Sequence, residues 1–229
     1  MRFIWKERAS WRPILEGTRG SRVTKKRLQS ALQAAYTEVL VFHGARPTNI
    51  ESYYEHGLHV ADHLALNAIA KQIFISQEFP EIKEETFQNA VGGLSGIETG
   101  KLYACLDDRE LLEHCGHYLI YGSEHICAIA AQLSRNGRDY RQVLKRFGKP
   151  TIFKIALPLK TVSPSDFAEF VDLVHESLPR VRSGRHPPLA NFTFMLTDDV
   201  SGNFLCGHEH PALIRDPLLQ GQPYHVAEG

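Results

Sequence analysis

The chain has 229 residues, of which 43% are hydrophobic and 23% are charged, and its formal net charge is zero. This composition is typical of a globular protein and excludes the disordered, collagen-like and disulfide-rich classes. No apolar stretch approaches the roughly 18 residues that span a bilayer, and residues 1–8 lack the apolar core of a signal peptide. We therefore expect a cytoplasmic protein with no membrane partner.

The charge is distributed unevenly along the chain. Residues 1–36 carry nine basic and two acidic side chains, whereas residues 37–229 carry 17 basic and 24 acidic ones. A basic segment on an acidic body can guide a polyanion to one end of a molecule, although a solvated helix face can carry the same charges. We divide the chain into a basic N-terminal extension with a helix, residues 1–36, and the remainder, residues 37–229, within one domain.

Hydrophobic periodicity predicts helices early in the chain and strands late. Apolar residues at helical spacing predict helices at 21–36, with Ser21 as N-cap, and at 48–56, 62–74, 82–90, 109–115, 123–133, 139–146 and 163–178. β-branched and aromatic runs predict strands at 37–42, 101–106, 117–121, 151–157 and 191–196, with a further candidate at 203–206. Because strict alternation of strand and helix is absent, an α+β fold is favoured over a doubly wound sheet.

One segment, residues 39–58, has the most specific pattern in the chain. The buried strand Val-Leu-Val-Phe ends in His43-Gly44, Arg46-Pro-Thr-Asn follows, and a short helix stops at Gly57-Leu58. His-Gly alone is common by chance. In this order and at this spacing the motif is much more specific, although a His at a turn followed by a turn glycine is the structural alternative.

This segment resembles the opening motif of the ADP-ribosyltransferase superfamily, in particular its poly(ADP-ribose) polymerase and diphtheria-toxin branch. The resemblance implies split antiparallel β-sheets flanked by helices and NAD⁺ as the substrate. It also implies that His43 bonds the adenosine ribose and that the backbone of Gly44 binds the nicotinamide amide. Arg46 could lie near the diphosphate or the adenine ribose, and its fork of donors suits phosphate.

The resemblance further implies an aromatic side chain that stacks on the nicotinamide, and two segments compete to supply it. Tyr121 with Ser123 is the preferred choice, Tyr118 lies in the same segment, and Tyr103 in the strand at 101–106 is the alternative. Stacking on a cationic ring contributes on the order of 1 kcal/mol. Core packing is the other explanation for each tyrosine.

A late acidic residue completes the implied site, since it stabilises the positive charge that develops when the glycosidic bond breaks. We assign this role to Glu209, which precedes a Pro-Ala-Leu-Ile segment. Glu124, Asp198 and Asp199 are alternatives. The predicted catalytic residues are thus Glu209, Tyr121 and His43, and no metal ligand is among the predicted site residues.

The predicted function is mono-ADP-ribosyl transfer from NAD⁺ to a macromolecule, either a nucleic acid or a protein. A small transferase of this kind resembles a bacterial toxin or phage-defence effector, which a neutralising antitoxin protein can accompany. NAD⁺ hydrolysis and a non-catalytic nucleic-acid-binding module are the alternatives. A zinc enzyme is a third, because His59 and His63 are four residues apart, but neither Cys-x-x-Cys nor His-Glu-x-x-His occurs.

Overall fold

The computed structural model describes residues 1–19, 23–94, 99–134 and 137–226, and these form an α+β fold. The strands are β1 Arg2–Phe3, β2 Glu38–Ala45, β3 Leu102–Cys105, β4 Thr151–Pro158, β5 Thr193–Leu196, β6 Leu205–Glu209, β7 Leu213–Asp216 and β8 Gln222–His225. The helices are α1 Arg8–Gly17, α2 Lys25–Ala35, α3 Glu51–His56, α4 His63–Phe74, α5 Glu84–Gly92, α6 Asp108–Glu113, α7 His117–Ile120, α8 Glu124–Leu133, α9 Arg141–Leu144 and α10 Pro164–Arg182.

Strand β2 lies in the middle of a mixed sheet with the order β5-β3-β2-β4-β6. It pairs antiparallel with β4 along its whole length, and β1 pairs parallel with its first two residues. Its register with β3 consists of one pair, Phe42 with Cys105, within the described strands. Strands β7 and β8 form a separate hairpin. The α+β class is therefore confirmed, with antiparallel pairing predominant.

Successive residues of β2 point to opposite faces of the sheet, and each face has its own hydrophobic core. The first core contains Val39 and Val41 and is covered by α1, α2 and α10. The second core contains Phe42 and is covered by the helices between α4 and α9. A strand buried on both faces must be apolar at nearly every position, which explains why the sequence of β2 is a continuous apolar run.

The N-terminal residues, predicted as a basic extension with a helix, belong to the first core. Phe3, Trp5, Trp11 and Ile14 are at most 1% exposed. The indole of Trp11 donates to the carbonyl of Trp5 at 2.9 Å. Burial of three large aromatic rings against the sheet makes this segment part of the domain.

Several predicted boundaries also differ. Helix α2 begins after Thr24, whose hydroxyl accepts a hydrogen bond from the amide of Arg27, and the predicted cap Ser21 lies outside the described residues. Residues 117–120, predicted as extended, form α7. The hairpin β7–β8 was not predicted, because its strands are four residues each and carry little periodicity. No helix in the described part of the chain is both long and apolar enough to cross a membrane.

We predict that Trp11→Ala lowers the free energy of unfolding by about 3–5 kcal/mol, because it leaves a cavity in the first core. The neighbouring Arg12→Ala, which removes an exposed side chain and its ion pair with Glu16, should change it by less than about 1 kcal/mol. Urea unfolding of both variants measures the difference. Equal stability of Trp11→Ala and wild type would show that residues 1–17 are dispensable for folding.

Candidate functional site

The end of β2 borders a gap in the sheet. Strand β3 pairs with β2 at Phe42 and Cys105, but it pairs through four residues with β5 on its other side. Phe42–Cys105 is the one register pair between these two described strands, and we call the region between residues 43–45 of β2 and residues 102–104 of β3 the gap. This gap lies at the His-Gly unit that the sequence singles out.

The backbone of Gly44 points into this gap. Pro47 and Thr37 accept hydrogen bonds from the amides of Lys149 and Leu159, and both pairs continue the register between β2 and β4. Odd-numbered residues of β2 therefore direct their backbone groups at β4. In an antiparallel ladder the alternate residues point the other way. The N–H and C=O of Gly44 consequently face the gap.

Gly44 packs closely against two leucine side chains. A Cβ atom here would lie 3.2 Å from a methyl carbon of Leu111 and 3.2 Å from one of Leu119, both of which pack on this face of the sheet. The contact is tighter than ordinary van der Waals distance. The absence of a side chain at Gly44 thus serves close packing of α6 and α7 on the sheet.

The imidazole of His43 spans the gap on the first-core side. Its Nδ1 lies 2.9 Å from the carbonyl oxygen of Tyr103. Since a carbonyl oxygen can only accept, Nδ1 carries the proton, and burial lowers the pKa of His43 below its usual value. The ring is therefore neutral at pH 7, and Nε2 is left as a hydrogen-bond acceptor on a partly exposed side chain.

The structure separates the candidate tyrosines. Tyr103 lies on β3 beside the gap and is 39% exposed, with Met195 as its cross-strand partner. Tyr121 is 3% exposed in the second core, and its hydroxyl donates to Asp216 at 2.5 Å. The ring of Tyr121 is thus enclosed by core side chains, whereas that of Tyr103 is accessible, and the assignment of a stacking residue stays a prediction.

Tyr118 and Ser123 lie near the start of α8. The hydroxyl of Tyr118 donates to the Glu124 carboxylate at 2.9 Å, and burial together with this carboxylate raises the Tyr118 pKa. Ser123 occupies the N-cap position of α8 but makes no side-chain capping bond. Glu124 therefore has a structural partner in Tyr118.

Glu209 lies in β6 and not in a loop. Its carboxylate pairs with the ammonium group of Lys154 at 2.7 Å, and this pairing raises the Lys154 pKa. Gly44, Ile152 and Glu209 are paired across three neighbouring strands. This register places the Cα atoms of Gly44 and Glu209 roughly 10 Å apart. Side chains alternate between the two faces along a strand. Those of Glu209 and Tyr103 therefore point to the face that carries the second core, whereas that of His43 points to the face that carries the first core.

Lys154 was missed by the sequence analysis. It is the one charged residue in the apolar run Thr-Ile-Phe-Lys-Ile-Ala-Leu of β4, and that departure from the pattern is the signal that identifies it. Beside it, Lys6 pairs with Asp108 at 2.6 Å and lies 5.6 Å from the ring centre of Phe42. A row of paired charges thus covers the second-core face next to the gap.

The other candidate acids and histidines have different surroundings. Asp199 accepts hydrogen bonds from His59 at 2.8 Å and from the amide of Val60 at 2.8 Å, and so anchors that loop, while Asp198 is exposed beside it. His63 stacks on His125 with ring centres 4.2 Å apart. In the described ranges, no three His, Cys, Asp or Glu side chains converge as metal ligands would.

Two surface cavities lie at different distances along the chain from the His43-Gly44 motif. One of about 310 Å³ lies directly beyond β2 and is lined by residues 47–51, Gly148 and Lys149. Its volume is at the lower end of the range for ligand sites. A larger cavity of about 450 Å³ is lined by residues between Ile75 and Glu84, in another part of the chain. We consider the smaller cavity the better candidate for a ligand site, because it lies next to the end of the strand that carries His43 and Gly44.

The guanidinium group of Arg46 is engaged within the protein. It donates to the carbonyl oxygens of Leu119, Lys145, Phe147 and Gly148 at 2.7–3.2 Å. Four of its five N–H groups are thereby directed at neutral acceptors. Arg46 fixes the turn after α9 against β2, and this use conflicts with the predicted diphosphate contact.

We predict that Arg46→Ala lowers the free energy of unfolding by at least about 2 kcal/mol, because several carbonyl groups lose their donors. Lys149→Ala, a change of an exposed neighbouring cation, is the matched control and should leave stability unchanged. Urea denaturation followed by tryptophan fluorescence measures both. A variant at Arg46 that is fully stable but binds NAD⁺ weakly would restore the predicted diphosphate role.

The candidate groups at the gap are therefore the neutral imidazole of His43 on the first-core face, the outward backbone groups of Gly44, and an exposed tyrosine and a lysine-paired carboxylate on the second-core face. Comparisons of the chain with protein-family models, with curated proteins and with solved structures find no match in any of the three sets.

Proposed function

We propose that the protein is an NAD⁺-dependent ADP-ribosyltransferase whose nicotinamide site is the gap between β2 and β3. The observation that carries the proposal is the hydrogen bond from His43 to the Tyr103 carbonyl, at 2.9 Å. This bond fixes the tautomer of a neutral ring and leaves Nε2 to accept from a hydroxyl group. A ribose hydroxyl is the ligand group that the resemblance to the ADP-ribosyltransferase superfamily assigns to this histidine.

Gly44 and Tyr103 support the same assignment. A carboxamide needs one acceptor and one donor in the same plane, and the C=O and N–H of a single strand residue supply both. The outward direction of Gly44 meets this requirement. Tyr103, exposed on the adjoining strand, can stack on the cationic nicotinamide ring, a contact worth on the order of 1 kcal/mol.

Glu209 is the acid that we assign to catalysis. Cleavage of the glycosidic bond of NAD⁺ releases nicotinamide and leaves positive charge on the ribose, which a nearby carboxylate stabilises. The acceptor nucleophile then forms the new bond to the ribose carbon and loses its proton. Lys154 positions Glu209 over the face of the sheet that also carries Tyr103, so a ligand in the gap would approach Glu209 from this face.

Hydrolysis of NAD⁺ is the second candidate, since water in place of a macromolecular acceptor uses the same groups. The protein would then release nicotinamide whether or not an acceptor is added. A role as a toxin or phage-defence effector, with an antitoxin that neutralises it, is part of the transferase proposal and follows from the resemblance alone.

The test is nicotinamide release from NAD⁺ by the purified protein, alone and with total cellular RNA, DNA or protein. We expect release that depends on one fraction. His43→Phe and Glu209→Gln should each slow it about 100-fold or more, because the first removes a hydrogen bond to the adenosine ribose and the second removes the carboxylate that stabilises charge on the nicotinamide ribose. Asp199→Asn, which alters an acid in the loop after β5, is the matched control and should retain the wild-type rate.

Two results would contradict this proposal in different ways. A folded wild-type protein that releases no nicotinamide in any mixture would exclude both transfer and hydrolysis. Full activity of Glu209→Gln together with loss of activity in Glu124→Gln would reassign the catalytic acid to the start of α8. Thermal unfolding of every variant, measured alongside, separates a lost chemical group from a lost fold.

A further inference from the structure

Two basic segments that are far apart in the sequence meet on one surface of the protein. Helix α1 ends at Gly17 and α10 ends at Arg182, and the guanidinium group of Arg182 donates to the carbonyl and hydroxyl of Thr18 at 2.8 and 3.0 Å. A Cβ on Gly184 would lie 4.0 Å from the guanidinium of Arg8. The exposed cations gathered here, which we call the arginine surface, are Arg8, Arg19, Lys26, Arg27, Arg182 and Arg185.

Neutral groups hold much of this charge in place. Arg27 donates to the carbonyl oxygens of Gly17 and Arg19 at 3.2 and 3.3 Å, and Arg182 donates to Thr18. A carbonyl acceptor orients a guanidinium without cancelling its charge, and the carbonyl end of a helix favours cations. The end of α1 therefore orients the guanidinium groups of Arg27 and Arg182 through carbonyl acceptors.

Nearby carboxylates neutralise other cations of the region. Arg12 pairs with Glu16 at 2.9 Å and Lys25 pairs with Asp172 at 2.6 Å, while Glu7 and Glu176 also lie on α1 and α10 or next to them. Within the described ranges, Arg8, Arg19 and Arg185 take no part in the ion pairs. A net positive surface remains after the local acids are counted.

The chemistry of this surface distinguishes among polyanionic partners. The large hydrophobic side chains that the described residues expose lie outside α1, α2 and α10. Protein interfaces have apolar or aromatic centres, and membrane-surface helices insert apolar side chains. Interfaces with phosphate backbones are instead polar and strongly positive, and arginine forks fit phosphate oxygens.

We propose that the arginine surface binds the phosphate backbone of a nucleic acid. Binding itself is independent of the chemistry at the gap. Its consequence, that a nucleic acid is the acceptor of ADP-ribose, rests on the proposed function. His43 lies on the face of the sheet that α1, α2 and α10 cover, whereas Tyr103 and Glu209 lie on the opposite face.

The test is fluorescence anisotropy with a labelled single strand of about 20 nucleotides, made as RNA and as DNA of the same sequence, in about 50–200 mM salt. The triple variant Arg8→Gln/Arg19→Gln/Arg185→Gln should weaken binding at least about tenfold. It should also reduce the slope of log K against log salt by about 2, since a single strand contributes roughly 0.7 per phosphate contact.

The control is a second triple variant with the same loss of charge, Lys83→Gln/Lys160→Gln/Arg215→Gln, which changes exposed cations outside the arginine surface. It should bind as wild type does, and tighter binding of one probe identifies RNA or DNA as the ligand. Equal weakening by both triple variants would overturn the proposal. So would wild-type binding to anionic vesicles or to an acidic protein with no binding to either probe.

Failure of this inference is distinguishable from failure of the proposed function. Nucleic-acid binding through the arginine surface without any nicotinamide release would keep the surface and reject the transferase. Nicotinamide release that needs only a protein fraction, and that is unchanged in the first triple variant, would keep the transferase and reject a nucleic acid as its acceptor.

Discussion

The burial of strand β2 on both faces and along both edges is the constraint on which the rest of the structure depends. Val39 and Val41 pack into the first core and Phe42 into the second, so helices must cover both sides of the sheet. β4 occupies one edge completely, and β1 and β3 occupy parts of the other. The part of that edge beyond Phe42 is where backbone groups are directed away from β4, and the candidate site lies there.

The elements that could be predicted are those whose local sequence pattern indicates burial or a helix start. The apolar runs of β2 and β4 predict strands, and Ser163-Pro164 predicts the start of α10, where the Ser163 hydroxyl does accept from the amide of Asp166. Sequence patterns do not record which face a neighbour covers. Residues 117–120 are rich in aromatic and branched side chains yet form a short helix, because their packing beside Gly44 and β7 decides their conformation.

The candidate site was predictable only where it depends on local sequence. His43 and Gly44 follow from a local motif, and their position at a strand end needs only local structure. Tyr121 and Arg46 depend on long-range contacts: Asp216 is 95 residues from Tyr121, and the carbonyl groups that Arg46 binds come from two other segments, Leu119 and residues 145–148. The Lys154–Glu209 pair likewise forms only when β4 and β6 are side by side. No pattern within one segment indicates such partners.

The most direct test of the account is hydrogen–deuterium exchange of the intact protein with and without NAD⁺. If the gap holds the nicotinamide end of NAD⁺, exchange should slow in peptides that contain Gly44 and Tyr103 and stay unchanged in the β7–β8 hairpin. Protection confined to residues 75–84, which line the larger cavity, or no protection at saturating NAD⁺, would contradict the assignment of the gap between β2 and β3 as the NAD⁺ site.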